Sequence, residues 1–207
     1  MPKPDHTDAT ISGLKRPKDY RLEKNNNTRV EKIDIKDEYQ SVVDIVEGCR
    51  KKKRKSQKQL YHLYCDELYT TALRILNSKE MAEDAMHDGF LLVFRDIKKL
   101  RDCGSLKPWM KRIVVNTSLK MLQRYRRIEY TDKPVLIEKV YGFDPMNGEH
   151  IEKAIAALPE GYRVVFLLIE VEGYKHQEVA EMLGISEGTS KSQLHHAKHN
   201  LMRMLKE

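Results

Sequence analysis

The segment from His176 to Lys198 limits what this chain can fold into more than any other. Its apolar residues Val179, Ala180 and Leu183 fall on one side of a short helix. Ala180 is small at the place where two helices must cross closely. Gly184 offers the left-handed backbone position that ends a helix without a Cβ clash. Ile185 returns the chain to the core, and the side-chain oxygen of Ser186 is placed to cap a second helix. That helix carries Lys191, Ser192, Gln193, His195, His196 and Lys198, polar side chains suited to a DNA groove. The pattern is a helix-turn-helix, and it implies a chain that reads duplex DNA.

Charge agrees with that implication. The 207 residues carry a formal net charge of +7, which favours a polyanion as partner through phosphate neutralisation and counterion release. A solvated basic surface is the plainer reading of charge alone. The three cysteines, Cys49, Cys65 and Cys103, are far apart and form no C-x-x-C, so neither a disulfide framework nor a structural zinc site is expected. The first residues contain no apolar signal region, and no run approaches the ~18 apolar residues of a membrane span. The expected location is cytoplasmic, without membrane insertion. His195 and His199 stand four apart, as in helical zinc pairs, but the intervening residues lack the acidic general base and no third ligand is evident. No nucleophile triad or phosphate-binding glycine loop occurs. No catalytic residue, metal or cofactor is expected, and the chain does not read as an enzyme.

Along the chain, residues 1–36 hold Pro2, Pro4, Pro17 and Asn25-Asn26-Asn27 with few large apolar residues, the composition of a disordered tail. From Asp37, Val42, Val43, Ile45 and Val46 suit a short amphipathic helix ending at Gly48. Arg50 to Lys55 are six consecutive cations, read here as a solvated turn and first helical turn; in a eukaryote such a run would suggest nuclear import. Leu60, Leu63, Tyr64, Leu68, Ala72, Leu73 and Leu76 mark a core helix. Asn77 breaks it and Ser78 caps the next, whose buried side is Met81, Ala85, Phe90, Val93 and Phe94. Glu83, Asp84, His87 and Asp88 form its acidic side. Residues 98–105 read as a loop. Pro108 then sits in the first turn of a helix running to about Arg127, where its missing N–H costs nothing. On that helix Met110, Val114, Thr117 and Met121 share one face, and Arg112, Asn116, Lys120 and Arg127 another.

Residues 128–149 contain Pro134, Gly142, Pro145 and Gly148, with five acids against two lysines. An acidic, proline- and glycine-bearing stretch inside a basic chain reads as a flexible linker. Helical periodicity resumes at Ile151, Ile155 and Leu158. Pro159 opens a further helix with Val164, Val165, Leu167, Leu168 and Val171 inside, and Gly173 ends it. The expected fold is all-α: a tail (1–36), a helical domain (37–127), an acidic linker (128–149) and a four-helix domain with the helix-turn-helix (150–207).

Four segments in this order resemble the small extracytoplasmic-function sigma factors of bacterial RNA polymerase. They are Ala82 to Phe94, Gly104 to Thr117, Ala157 to Phe166 and Gly173 to Ala197, within a resemblance spanning roughly residues 38–205. The resemblance implies that Asp84, His87, Asp88 and Phe90 dock on the β′ clamp helices of core polymerase, an acidic and apolar patch meeting basic helices. His87 stands where the family usually has Gln, and Asp88 where Glu is common. For Phe90 and Phe94 core packing is the competing role. It further implies that Trp109, Arg112, Asn116, Lys120, Arg124 and Arg127 face the minus-ten element. There Asn116 contacts an unstacked base, the cations hold phosphates, and Trp109 either stacks on a base or packs as a hinge. The loop Arg101 to Leu106 lies where the family forms its base pocket, with Asp102-Cys103 replacing the typical Gly-Glu or Gly-Asp.

In the second domain the resemblance places Lys191, Ser192, His195 and His196 in the major groove of the minus-thirty-five element, with Gln193 and Lys198 on phosphates or flanks. Ser190 replaces a common Val. The implied partners are core polymerase, through the β′ clamp helices and the β flap, promoter DNA and an anti-sigma factor. Three rivals stand beside this reading: an operator-binding regulator that uses residues 150–205 alone, an enzyme acting on nucleic acid, and an inactive sigma-like adaptor.

Overall fold

The computed structural model describes residues 35–129 and 149–205, with side chains over 41–125 and 150–205. The expected tail, apart from its last two residues, and positions 130–148 of the expected linker lie outside these. Every regular element among the described residues is helical: α1 (Ile35–Arg50), α2 (Arg54–Leu76), α3 (Lys79–Asp96), α4 (Leu106–Glu129), α5 (Glu149–Ala157), α6 (Glu160–Phe166), α7 (His176–Leu183) and α8 (Glu187–Met204). Short 3-10 turns cover Ile97–Lys99 and Cys103–Ser105, and a π-helical segment, Leu167–Val171, continues α6. The stretch read as a plain loop therefore contains two tight turns.

Two compact units emerge. One joins residues up to Thr71 with Glu83–Val114; the other joins Ala72–Ala82 with Val115 onward. In the first, Leu60, Leu68, Phe90, Val93, Ile97, Leu106, Met110 and Val114 are buried. Tyr61 of α2 lies against Phe90 of α3, ring centroids 4.7 Å apart. Gly89 lets α3 approach α4, because a Cβ there would stand 3.0 Å from Cγ2 of Val114.

The role of Gly48 differs from expectation. It does not end α1, which continues to Arg50. Gly48 is buried at a crossing with α2, where a Cβ would lie 1.9 Å from Oγ and 2.6 Å from Cβ of Ser56. The helix ends at Arg50, and Lys52, two residues on, adopts a left-handed φ of 56°. The Lys53 N–H donates to the Gly48 carbonyl and the Lys52 N–H to the Cys49 carbonyl, closing the last turn. Next, Asn77 (φ 53°) makes the corner between α2 and α3, and Ser78 Oγ accepts from the Met81 N–H at 3.3 Å, as its capping role requires.

In the second unit, α6 and α7 pack on α8. Val164, Val165, Leu167, Leu168, Val179, Leu194, Ala197 and Leu201 form this core. Arg163 is buried with them and donates from Nη1 to the Leu158 carbonyl at 3.1 Å, fixing the α5–α6 corner. Gly173 (φ 77°) and Gly184 (φ 66°) take the left-handed positions that end the π segment and α7.

Candidate nucleic-acid interface

The helix-turn-helix forms as its residues require. The Glu178 carboxylate accepts from the Lys175 N–H at 3.0 Å at the start of α7. Ser186 Oγ accepts from the Thr189 N–H at 3.0 Å at the start of α8. On α8, Ser190, Leu194, Ala197 and Leu201 recur at spacings of four, three and four and are buried. That stripe turns Lys191, Ser192, His195, His196 and Lys198 to solvent.

These side chains are held to different degrees. Lys191 pairs with Glu187 at 2.7 Å one turn back, and this ion pair pulls the Glu187 carboxyl below its usual range. Lys198 pairs with Glu170 at 2.8 Å. His196 stacks on Tyr162 of α6, ring centroids 5.6 Å apart, and His195 meets His196 edge-on. Gln193 is only half-exposed and lies against Gly161 of α6.

Ser190 carries a feature that the sequence did not reveal. Its Oγ lies 3.0 Å from Nδ1 of His176 at the start of α7. The fully buried hydroxyl therefore has a partner, and the Val-to-Ser departure is matched across the α7–α8 contact. Only the two residues read together, fourteen apart, carried that signal.

On α4, Arg112, Lys120 and Arg124 are exposed, while Trp109 and Asn116 are half-buried. Arg112, Asn116, Lys120 and Arg124 follow one another at intervals of four and share a face. Arg127 belongs to α4, but its side chain is outside the described residues. Asp102, just before α4, is committed to its own turn. Its carboxylate accepts from the Gly104 N–H and the Ser105 hydroxyl, both at 3.0 Å. Those bonds, the Gly104 N–H first, hold its pKa below the usual carboxylate range. Asp102 thus shapes the loop.

On α3, Asp84, His87 and Asp88 are exposed on one face. Phe90 is not with them. It is 0% exposed, between the rings of Tyr61 and Phe94, and belongs to the stripe Ala82, Met86, Phe90, Val93, Ile97. Core packing, the competing role, is what the structure gives it. The apolar residue beside the acidic face is Leu91, 40% exposed and three residues beyond Asp88. The spacing 84, 88, 91 carried this signal, because a helix returns to one face every three to four residues.

Among the described residues no group of three potential ligands gathers to hold a metal, and no helix is long and apolar enough to cross a membrane.

Comparison with known proteins adds two family matches. Residues 60–128 match the family model for sigma-70 region 2, and residues 149–201 that for sigma-70 region 4. The chain is 28% identical over 152 residues to the ECF RNA polymerase sigma factor SigE of Mycolicibacterium smegmatis, an alignment covering 69% of this chain and 59% of that relative. It is 29% identical over 152 residues to SigM of Mycobacterium tuberculosis, covering 71% and 76%. It is 23% identical over 161 residues to SigW of Bacillus subtilis, covering 70% and 86%. Its fold is similar to that of the sigma factor RpoE of Bartonella quintana, solved in complex with the anti-sigma factor NepR. The TM-score is 0.52 at 24% identity, over 72% of this chain and 96% of that one.

Proposed function

The chain belongs to the sigma-70 family, as an extracytoplasmic-function sigma factor, and on that premise we propose that it binds bacterial core RNA polymerase and directs it to a class of promoters. The observation that carries this reading is the pairing, in one chain and in the family's order, of a region 2 match with a region 4 match. An operator-binding regulator would need the second alone and would leave the first idle.

In this reading the domain 37–127 holds polymerase and the minus-ten element, and the domain 150–207 holds the minus-thirty-five element and the β flap. The tail and the linker 128–149 flank and join them. The acidic face of α3, Asp84, His87 and Asp88 with Leu91 as its apolar member, meets the basic β′ clamp helices. Desolvated apolar contact supplies affinity and opposite charge supplies approach and orientation. Phe90 acts beneath that face by fixing α3.

Arg112, Lys120, Arg124 and Arg127 neutralise phosphates of the minus-ten strand while Asn116 pairs with a base that has left the stack. Trp109 offers a stacking face beside them. The outward side of α8 enters the major groove, with Lys191, Ser192, His195 and His196 toward base edges and Lys198 toward the backbone. Gln193, half-buried against α6, supports that helix. Lys191 and Lys198 exchange their partners Glu187 and Glu170 for phosphate or base acceptors on binding. The chain performs no reaction of its own; bond formation belongs to polymerase. Its place is the cytoplasm, and an anti-sigma factor that covers these faces is the expected regulator.

The division of labour is testable. Lys191→Ala with His195→Ala should weaken minus-thirty-five recognition and leave core binding intact. Asp84→Ala with Asp88→Ala should weaken core binding and leave the isolated affinity for minus-thirty-five DNA intact. Equal loss of both activities in both variants refutes the assignment.

A further inference from the structure

The cationic run between α1 and α2 has no role in the reading above, and the fold treats it as more than a solvated turn. Among the described residues, Lys51, Lys52, Lys53 and Lys55 are exposed and none has an ion-pair partner. The turn that carries them is held by backbone hydrogen bonds. It is closed by the Lys53-to-Gly48 and Lys52-to-Cys49 backbone hydrogen bonds, with Lys52 in the left-handed conformation that an L residue adopts at a cost.

The turn is also anchored. Nη2 of Arg50 donates to the Leu100 carbonyl at 2.5 Å, while Nη1 pairs with Glu47. The same helix packs against both 3-10 turns, Ile97–Lys99 and Cys103–Ser105, that lead into α4. Lys98 and Arg101 flank Leu100, the residue on which Arg50 is anchored, and both are exposed.

Local stability does not account for this charge. A helix start carries a partial positive charge and favours acids, yet α2 opens on Arg54 and Lys55 with no acid in its first turn. The six consecutive cations Arg50 to Lys55 repel one another, and the acid nearest them in sequence, Glu47, is occupied by Arg50. A self-repelling cationic surface is stabilised by a polyanion, because each phosphate it neutralises releases a condensed counterion.

We propose that Lys51, Lys52, Lys53, Lys55, Lys98 and Arg101 form a second, sequence-independent DNA contact that grips phosphates flanking the minus-ten element. The turns at 97–105, against which α1 packs, lead into the start of α4. It adds affinity without adding sequence preference, since phosphates position and base edges specify. This inference rests on the sigma-factor reading.

The test uses holoenzyme assembled from core polymerase and the full chain, on a promoter fragment that it transcribes. The variant is Lys51→Gln, Lys53→Gln, Lys55→Gln and Lys98→Gln together; Lys52 is kept because of its backbone conformation. Promoter affinity is measured across salt concentrations. Four lost phosphate contacts at roughly 0.7 to 0.9 each should lower the slope of log K against log salt by about 3. Core affinity and the choice among promoters should stay unchanged. An unchanged slope overturns the proposal. So does a variant whose defect is confined to core polymerase binding, which would make the patch a protein contact. If the parent chain floats with phosphatidylglycerol vesicles and the variant does not, while both bind the promoter equally, the proposal is overturned in favour of a membrane surface. If holoenzyme with the unaltered chain shows no promoter-dependent binding at all, the sigma-factor reading fails instead, and this inference with it.

Discussion

Phe90 and Leu91 are adjacent, yet a helix turns each residue about 100° from the last, and the two side chains have opposite environments. Phe90 is 0% exposed and packed on Tyr61 and Phe94; Leu91 is 40% exposed beside Asp84 and Asp88. Truncating a fully buried phenylalanine removes its transfer free energy and leaves a cavity, about 3–5 kcal/mol in all. That is a large part of the ~5–15 kcal/mol that holds a typical domain folded. Leu91 has less to lose within the chain. Fully burying a leucine contributes about 1.5–3 kcal/mol, so covering the two-fifths still exposed contributes roughly 0.6–1.2 kcal/mol to a complex, a three- to sevenfold change in affinity. Phe90→Ala should therefore lower the denaturation midpoint steeply. Leu91→Ala should leave the midpoint nearly unchanged and weaken core polymerase binding by that factor, read by fluorescence titration. A stable Phe90→Ala protein that binds core polymerase poorly would refute the reasoning and return Phe90 to the interface. Full binding by Leu91→Ala would remove Leu91 from it.

Further outcomes follow from other sites. Gly48→Ala should destabilise by about 1–3 kcal/mol, the range for forcing atoms into a packed contact, and Ser56→Gly should restore most of the loss in denaturant unfolding; no rescue would show that the α1–α2 crossing is not the cause. His176→Ala and Ser190→Ala should couple by about 0.5–1.5 kcal/mol in a double-mutant cycle, and additive effects would mean that the hydrogen bond contributes nothing. Burial raises the Cys49 thiol to about 11 from 9.0, so the folded state favours its neutral form. That contribution is complete below about pH 9 and is lost as pH rises toward 11. At pH 8 iodoacetamide should modify half-buried Cys103 well before Cys49, as peptide mass mapping would record, and early labelling of Cys49 would contradict its burial.

What the sequence made legible was the periodic part of the fold. Helix starts at Ser78 and Ser186, stops at Gly173 and Gly184, and the buried stripe of α8 could all be read from residue types at fixed spacings, because each answers a local requirement. Gly48 misled because glycine serves two purposes. It ends helices, but it also lets backbones approach, and only the position of Ser56 on another helix separates the two. Phe90 misled for a related reason. Its motif pointed to a surface, whereas its own stripe with Ala82, Met86, Val93 and Ile97 pointed to the core. The bond between His176 and Ser190, and the anchoring of Arg50 on Leu100, join residues fourteen and fifty apart. No local pattern encodes such pairs.

The most direct test of the central claim is run-off transcription. Purified chain is added to sigma-free bacterial core polymerase with a library of genomic promoter fragments. Discrete transcripts that require this chain, and that share two elements spaced as minus-ten and minus-thirty-five, are the predicted result. Binding to DNA with neither association with core polymerase nor any chain-dependent transcript would contradict the account.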